Sequence, residues 1–220
     1  MTAAATIGPI VEPRSHAGAR GASVPRPAAT VAPVTPPANA LVPIFDLDGT
    51  LLDSDAALIE PFLALGVRRD QISFGHVVGE ECERLGIDLD AYVARYDTDA
   101  ALPFPGVGDL VAGLWRWGVC SNKHPVSGRA ELDRLGWRPE VALFTDAFDG
   151  PKQLGPVLDR LDLAPSQVLF VGDTAHDRRC AAEAGVAFAI AAWNPRAEPA
   201  AGDIVLRTPG AVLDHLATPS

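Results

Sequence analysis

Four short groups of polar residues contain the side chains that could carry out chemistry. The first is Asp46-Leu47-Asp48-Gly49-Thr50, in which one residue separates two carboxylates. A turn that begins at Asp48 would direct both carboxylates into one small volume, and burying two like charges is costly unless they share a cation. The group therefore indicates a cation-binding carboxylate pair or, taken singly, a helix cap at Asp46 and an ordinary turn at Asp48-Gly49.

The other three groups offer anion-binding and metal-binding side chains. Ser121-Asn122-Lys123 can form a phosphate cradle at a helix start, although it also fits a simple turn or N-cap. Lys152 opens a predicted helix, where the dipole disfavours a cation, so it indicates either a bound anion or a surface lysine. In Gly172-Asp173-Thr174-Ala175-His176-Asp177, two carboxylates suit a metal or its bound waters.

Each group comes after a short apolar run that we predict to be a β-strand. Ligands of an open parallel sheet bind beyond the carboxyl ends of its strands, so this order would gather the four groups at one edge. Proline cannot donate to a ladder, and we therefore place Pro43 at the first residue of its strand. The predicted strands are 41–45, 118–120, 141–144, 168–171, 187–191 and 204–206.

Helical patterns alternate with these strands. This alternation predicts an α/β fold with a doubly wound, mostly parallel sheet that is covered by helices on both faces. Residues 54–103, hereafter the insertion, interrupt it with three helical patterns and no strand pattern, which predicts a small all-helical lid over the site. The helical patterns are 107–117, 127–135, 153–161, 177–184 and 211–216 outside the insertion, and 56–65, 76–85 and 89–95 within it.

The composition excludes several classes of protein. Of the 220 residues 18 are basic and 28 acidic, and the net charge of −10 disfavours binding to nucleic acid or to anionic lipid. No stretch approaches the about 18 consecutive apolar residues that a membrane span requires. Residues 1–40 contain seven prolines and eleven alanines without apolar periodicity, which predicts a disordered tail.

The three cysteines are not spaced like a metal site or a disulfide framework. Cys82, Cys120 and Cys180 lie far apart in the sequence. We expect buried thiols in a reducing cytoplasm.

With the four groups in this order, the chain resembles the haloacid dehalogenase superfamily of phosphohydrolases. Within it, the chain is similar to the branch that includes phosphoglycolate phosphatase and carries a helical cap after the first motif. The resemblance spans about residues 41–216, and Phe104-Pro105-Gly106-Val107 looks like the junction from cap back to core. It implies a Rossmann-like core at 41–53 and 104–220 with the insertion as its cap.

The resemblance also implies roles for individual residues. Asp46 would be the nucleophile and Asp48 the general acid/base, which is the family's mark of phosphate-ester chemistry. Ser121, Asn122 and Lys152 would hold the phosphate. The metal would be Mg²⁺, with Asp46, Asp48, Asp173 and Asp177 in or next to its shell.

These roles imply a phosphatase that hydrolyses a small phosphomonoester metabolite through an aspartyl-phosphate. A phosphosugar mutase on the same scaffold, or a non-catalytic protein that binds a phosphorylated ligand, are the alternatives. The insertion is short for a cap of this type, and its net charge is 4 − 10 = −6, which we assign mostly to a solvated outer face. His124 and His176 are expected to be structural or exposed, and Arg68 and Arg69 to be solvated. The sequence contains no signal for the oligomeric state.

Deletion of residues 1–40 should leave the melting temperature and kcat essentially unchanged, because a segment without apolar periodicity adds little to a core. Thermal unfolding and turnover of the truncated and full chains test this expectation. A large fall in melting temperature would show that the segment packs on the folded domain.

Overall fold

The computed structural model describes residues 41–73 and 77–217, and the structural statements below concern these residues. The predicted tail at 1–40 lies outside them. So does His76, the first residue of the second helical pattern of the insertion. Insertion residues 74–76 and the last three residues of the chain are likewise not described.

The centre of the structure is a parallel sheet. Its strands are Val42–Phe45 (β1), Gly118–Cys120 (β4), Val141–Leu143 (β5), Val168–Gly172 (β6), Ala187–Ala191 (β7) and Ile204–Leu206 (β8). They lie in the order β5-β4-β1-β6-β7-β8, and every pairing in this sheet is parallel. The chain leaves β1 toward β4 and leaves β6 toward β7, so the crevice between β1 and β6 is the switch point of the sheet.

Successive residues of the two central strands pack into two different apolar clusters. Ile44 belongs to one cluster and Phe45 to the other, and Phe170 and Val171 of β6 divide in the same way. A strand directs successive side chains to opposite faces, so the two clusters cover opposite faces of the sheet. The predicted doubly wound α/β fold is confirmed.

The described residues form eight α-helices, three of them in the insertion. Those outside the insertion follow the predicted patterns, with two differences. Val107–Gly113 (α4) ends four residues early, before the turn into β4, and Pro125–Arg134 (α5) begins two residues early with Pro125 at its first position. None of the described helices is both long enough and apolar enough to span a membrane. The helices are Asp55–Ala64 (α1), Val78–Leu85 (α2), Leu89–Val93 (α3), Val107–Gly113 (α4), Pro125–Arg134 (α5), Gly155–Leu161 (α6), Ala175–Ala184 (α7) and Gly210–Ala217 (α8).

The position predicted for Pro43 is wrong. Pro43 is the second residue of β1, in the middle of the sheet, and it pairs in register with Leu169 of β6. On the other edge, the pairing with β4 begins only at Ile44. At Pro43, the edge of β1 that faces β4 therefore has no partner in register. A proline, which lacks an N–H to donate, is tolerated at such a position.

The insertion is not entirely helical. Leu102–Pro103 (β3) pairs antiparallel with Leu52–Asp53 (β2), so a two-stranded ribbon joins the two ends of the insertion. Two-residue strands have no periodicity that a sequence pattern could show. Between them α1, α2 and α3 pack around a cluster of their own, which includes Phe62, Cys82 and Tyr92.

The three cysteines of the chain are buried and free, as predicted for their side chains.

Helix α5, which follows the Ser121-Asn122-Lys123 group, packs unusually close to the sheet at Gly128. A Cβ atom there would lie 2.3 Å from the Cε1 atom of Phe144, whose side chain is completely buried. Only a glycine permits this approach, because a real Cβ would displace a buried ring.

Gly128→Ala should lower the free energy of unfolding by about 1–3 kcal/mol through overpacking against Phe144. The matched control is Gly108→Ala in α4, where nothing lies within 4 Å of the added Cβ. That substitution should raise the free energy of unfolding by up to about 1 kcal/mol, because alanine loses less backbone entropy. Denaturant unfolding measures both, and an unchanged or more stable Gly128→Ala variant would contradict the packing argument.

Candidate active site

The carboxyl end of β1 delivers Asp46 to the crevice beside β6. The backbone N–H of Asp46 donates to the carbonyl oxygen of Val171 at 2.9 Å, which ties the residue to the neighbouring strand. The chain then turns sharply, with Gly49 at a φ of +76°. A Cβ on Gly49 would lie 2.3 Å from Oδ2 of Asp173, so this turn needs glycine both for its backbone angle and for its close approach to that carboxylate.

A buried lysine from another part of the chain contacts Asp46. The Nζ atom of Lys152 lies 2.8 Å from Oδ2 of Asp46 and 2.5 Å from Oδ1 of Asp177, and only 4% of the lysine side chain is exposed. Burial disfavours the charged form of Lys152, but the two carboxylates outweigh it and raise its pKa. Lys152 precedes α6 by three residues rather than opening it, so the dipole argument does not apply.

Asp177 is fixed by the start of α7 as well as by Lys152. Its Oδ2 atom accepts hydrogen bonds from the backbone N–H of Thr174 at 2.9 Å and from the hydroxyl of Thr174 at 2.6 Å. The hydroxyl of Thr174 in turn accepts from the N–H of Asp177, which completes a capping box. Burial opposes ionisation of Asp177, yet the ammonium of Lys152 prevails and lowers its pKa.

Asp46, Asp173 and Asp177 form a cluster of carboxylates that fits a divalent metal ion. One oxygen from each lies within 4.8 Å of the others. Desolvation raises the pKa of Asp46 to about 6 and that of Asp173 to about 8; neighbouring carboxylates add to both shifts, and Lys152 opposes both. Three hard oxygen donors around one point are the ligand set that Mg²⁺ prefers, and a divalent cation there would relieve the repulsion.

Asp173 is held by a residue that the sequence analysis did not identify. The side-chain amide of Asn194 donates 2.9 Å bonds to Oδ2 of Asp173 and to the carbonyl oxygen of Gly49, and Asn194 is 1% exposed. The hydroxyl of Thr50 donates to the other oxygen of Asp173 at 3.1 Å. Asn194 follows the carboxyl end of β7, so the strand-end rule that located the four groups could have found it.

Asp48 is paired with a second buried lysine and is not one of the three grouped carboxylates. Its Oδ1 atom lies 2.6 Å from Nζ of Lys123, which also contacts Oε1 of Glu131 at 3.0 Å and the hydroxyl of Tyr96 at 2.7 Å. Tyr96 closes the network with a 2.7 Å bond to Glu131. Burial raises the pKa of Glu131 to about 7, although Lys123 opposes this. The structure thus brings Asp46, Asp173 and Asp177 together but directs the carboxylate of Asp48 toward Lys123.

Lys123 and Glu131 were missed as site residues. Lys123 was named only as part of its group, although a lysine directly after a Ser-Asn pair at a strand end was a usable signal. Glu131 lies on α5 and Tyr96 belongs to the insertion, so their contact joins two distant parts of the chain. No local pattern predicts such a contact.

The two other predicted phosphate-binding residues lie at the end of β4. Ser121 is buried, and its hydroxyl oxygen accepts from the N–H of Lys123 at 3.3 Å. The amide oxygen of Asn122 accepts from the N–H of Lys152 at 2.7 Å, so Asn122 positions the segment that carries this lysine. Both residues face the same cleft as Asp46.

This open cleft lies between the strand ends and the insertion. His124 and His176 line it, contrary to the expectation that they are merely structural or exposed. They were misjudged because a histidine beside a motif carries no sequence signal for the direction of its side chain. Burial lowers the pKa of His124, so its imidazole is neutral near pH 7.

Comparison with known proteins identifies the family of this chain. The model of the haloacid dehalogenase-like hydrolase family matches residues 43–185. The phosphoglycolate phosphatase of Xanthomonas campestris pv. campestris is 30% identical over 185 residues, which cover 70% of this chain and 83% of the relative. The N-acetylmuramic acid 6-phosphate phosphatase of Pseudomonas aeruginosa is 26% identical over 211 residues, covering 79% and 93%.

A solved structure supports the same fold. A haloacid dehalogenase-like family hydrolase from Streptococcus pneumoniae superimposes with a TM-score of 0.61 at 20% identity, covering 80% of this chain and 98% of that one. The family match includes the carboxyl ends of β1, β4 and β6, where the polar groups predicted from the sequence lie. The chain belongs to the haloacid dehalogenase-like hydrolase family.

Proposed function

We propose that the protein is a Mg²⁺-dependent phosphatase that hydrolyses a small phosphomonoester metabolite, with Asp46 as nucleophile and Asp48 as general acid/base. The observation that carries the proposal is the position of Asp46. Its carboxylate lies at the switch point of the sheet, against the buried ammonium of Lys152 and within the carboxylate cluster. Both relatives named above are phosphatases, which supports phosphomonoesters as the substrate class.

The first half of the reaction is a transfer to Asp46. A carboxylate oxygen of Asp46 attacks phosphorus, the bond from phosphorus to the ester oxygen breaks, and Asp48 gives that leaving oxygen its proton. Lys152, with Ser121 and Asn122, binds the phosphoryl oxygens and offsets the repulsion between the carboxylate and the dianion. The product of this step is an aspartyl-phosphate and a free alcohol.

The second half releases phosphate. Asp48, now deprotonated, takes a proton from a water molecule, whose oxygen attacks phosphorus and breaks its bond to Asp46. Inorganic phosphate leaves and the carboxylate of Asp46 is restored. Because Lys123 lies 2.6 Å from Asp48, it orients this carboxylate for both proton transfers.

Asp46, Asp173 and Asp177 would hold the metal, and Asn194 and Thr50 would orient Asp173 toward it. When bound, Mg²⁺ neutralises negative charge on the phosphoryl group and on the carboxylates around it. Asp48 was expected in or next to this shell. We instead assign the carboxylate of Asp48 to proton transfer, because it contacts Nζ of Lys123.

The insertion, residues 54–103, is proposed as a cap whose wall closes one side of the cleft. The network of Tyr96, Lys123 and Glu131 would then link the cap to the core. A reducing cytoplasm is proposed as the location, since all three cysteines are buried free thiols.

Asp46→Asn should lower kcat by several orders of magnitude while the chain still folds, because the amide is nearly isosteric but cannot form the phosphoenzyme. Phosphate release from p-nitrophenyl phosphate measures this. Asp53→Asn is the control, since the Asp53 side chain is 54% exposed and lies outside the cleft, and it should keep wild-type turnover.

A variant at Asp46 that retained about a tenth of wild-type kcat would refute the nucleophile assignment. Phosphate release from a phosphosugar separates the alternatives. A mutase would convert the phosphosugar to its isomer without stoichiometric release of phosphate, and a binding protein would release none.

EDTA should abolish activity and added Mg²⁺ should restore it, because the carboxylates would otherwise repel both one another and the substrate. Mg²⁺ should also raise the melting temperature, since a ligand that binds only the folded state stabilises it. This rise should shrink in Asp173→Asn and persist in Asp53→Asn. Phosphatase activity that survives complete chelation would contradict the metal assignment.

A further inference from the structure

The two walls of the cleft differ in chemistry. The core wall carries the carboxylates, the lysines and the polar groups described above. The insertion wall is mostly apolar, and its ring and alkyl side chains face the same space as Asp46. They are Leu58, Phe62, Ile72, Val78, Tyr92 and Tyr96.

Two aromatic residues give this wall a fixed shape. Phe62 and Tyr92 pack with ring centroids 4.5 Å apart, and Tyr92 is only 2% exposed. The hydroxyl of Tyr92 donates to the backbone oxygen of Leu58 at 3.0 Å, so its polar end is already bonded within the insertion. The two rings are almost completely buried, so they support the half-buried Ile72 and Val78, which pack against the same cluster.

The charged group that the described residues place on this wall belongs to an ion pair. Glu81 lines the cleft, and its side chain is 5% exposed. The hydrogen bond from Arg84, together with those from Ser73, lowers the pKa of Glu81 to about 2, so the group is ionised at neutral pH. Arg84 donates to both carboxylate oxygens of Glu81, at 2.7 and 2.6 Å, so the charge of this carboxylate is compensated and the guanidinium is already committed to it.

Once Lys152 is assigned to the phosphoryl group, the described residues of the cleft leave no unpaired ammonium or guanidinium for a second negative group on a substrate. Lys152 lies between Asp46 and Asp177, and Lys123 lies between Asp48 and Glu131. As predicted, the arginines of the insertion at positions 68 and 69 are exposed, and they do not belong to the described lining.

From this asymmetry we infer that the substrate's leaving group is an uncharged alcohol with an apolar face, of which a phenol is the simplest example. The inference rests on the proposed phosphatase function and specifies its substrate class. A carboxylate on the leaving group, as in phosphoglycolate, would be desolvated against apolar side chains without a free cation to pair with. An apolar ring would instead displace water from the insertion wall.

The test compares binding and turnover in the full chain with Mg²⁺ present. Benzylphosphonate and 3-phosphonopropionate are uncleavable counterparts of phenyl phosphate and phosphoglycolate, and calorimetry gives the affinity of each. Benzylphosphonate should bind at least about tenfold more tightly, and phenyl phosphate should exceed phosphoglycolate about a hundredfold in kcat/KM. Because binding is measured on uncleavable compounds, the preference of the cleft is tested even if no ester is hydrolysed.

Ile72 is the most informative position at which to add a cation to the insertion wall, because it lines the cleft and is only half-buried. Ile72→Arg should raise the affinity for 3-phosphonopropionate about tenfold or more by supplying a bidentate cation. Ile72→Gln is the matched neutral control and should not. Val78→Arg, at another half-buried position of the same wall, replaces Ile72→Arg if that variant does not fold.

The outcomes distinguish the inference from the function on which it rests. Equal or tighter binding of 3-phosphonopropionate to the wild type, or no binding of either phosphonate, would overturn the inference. Preferential binding of benzylphosphonate without release of phosphate from any ester would support the inference about the cleft and overturn the proposed phosphatase.

Discussion

The site depends on one buried ion pair, between the ammonium of Lys152 and the carboxylates of Asp46 and Asp177. Without that cation, two carboxylates would be buried beside Asp173 with no compensating charge, which costs several kcal/mol per unpaired ion. The pair also orders the chain, because Asp177 begins α7 and Asn122 holds the backbone of Lys152. Three separate strand ends are therefore joined through one ammonium group.

The parallel sheet explains why so much of this site could be predicted from sequence. Strands β1, β4 and β6 end at the same edge, so Asp46, Ser121 and Asp173 lie together as a consequence of topology alone. The apolar runs that specify these strands are buried on both faces and stand out in the sequence. The fold class and the order of the motifs could for this reason be predicted before any side-chain geometry was known.

What the sequence could not predict are contacts between side chains on distant elements. Tyr96 meets Glu131 across 35 residues, and Asn194 reaches Asp173 across 21, and neither spacing has a periodic signature. Pro43 illustrates a different limit. Its tolerance in β1 depends on where pairing with β4 begins, and register between distant strands is set by tertiary packing rather than by local propensity.

The charges of the insertion and its apolar wall act on different parts of a substrate. Eight of its ten carboxylates are exposed, which confirms the predicted solvated outer face, whereas Glu81 is buried at the cleft. An exposed acidic surface repels a polyanion as it approaches, but at physiological salt its field fades over about 8 Å. A single phosphate can therefore pass this surface and reach Lys152. Within the cleft, the apolar wall acts at contact distance on whatever the phosphate is attached to. In the proposed phosphatase, long-range charge would therefore select against large anions, and short-range contact with the apolar wall would select against small anions whose leaving group bears a second negative charge.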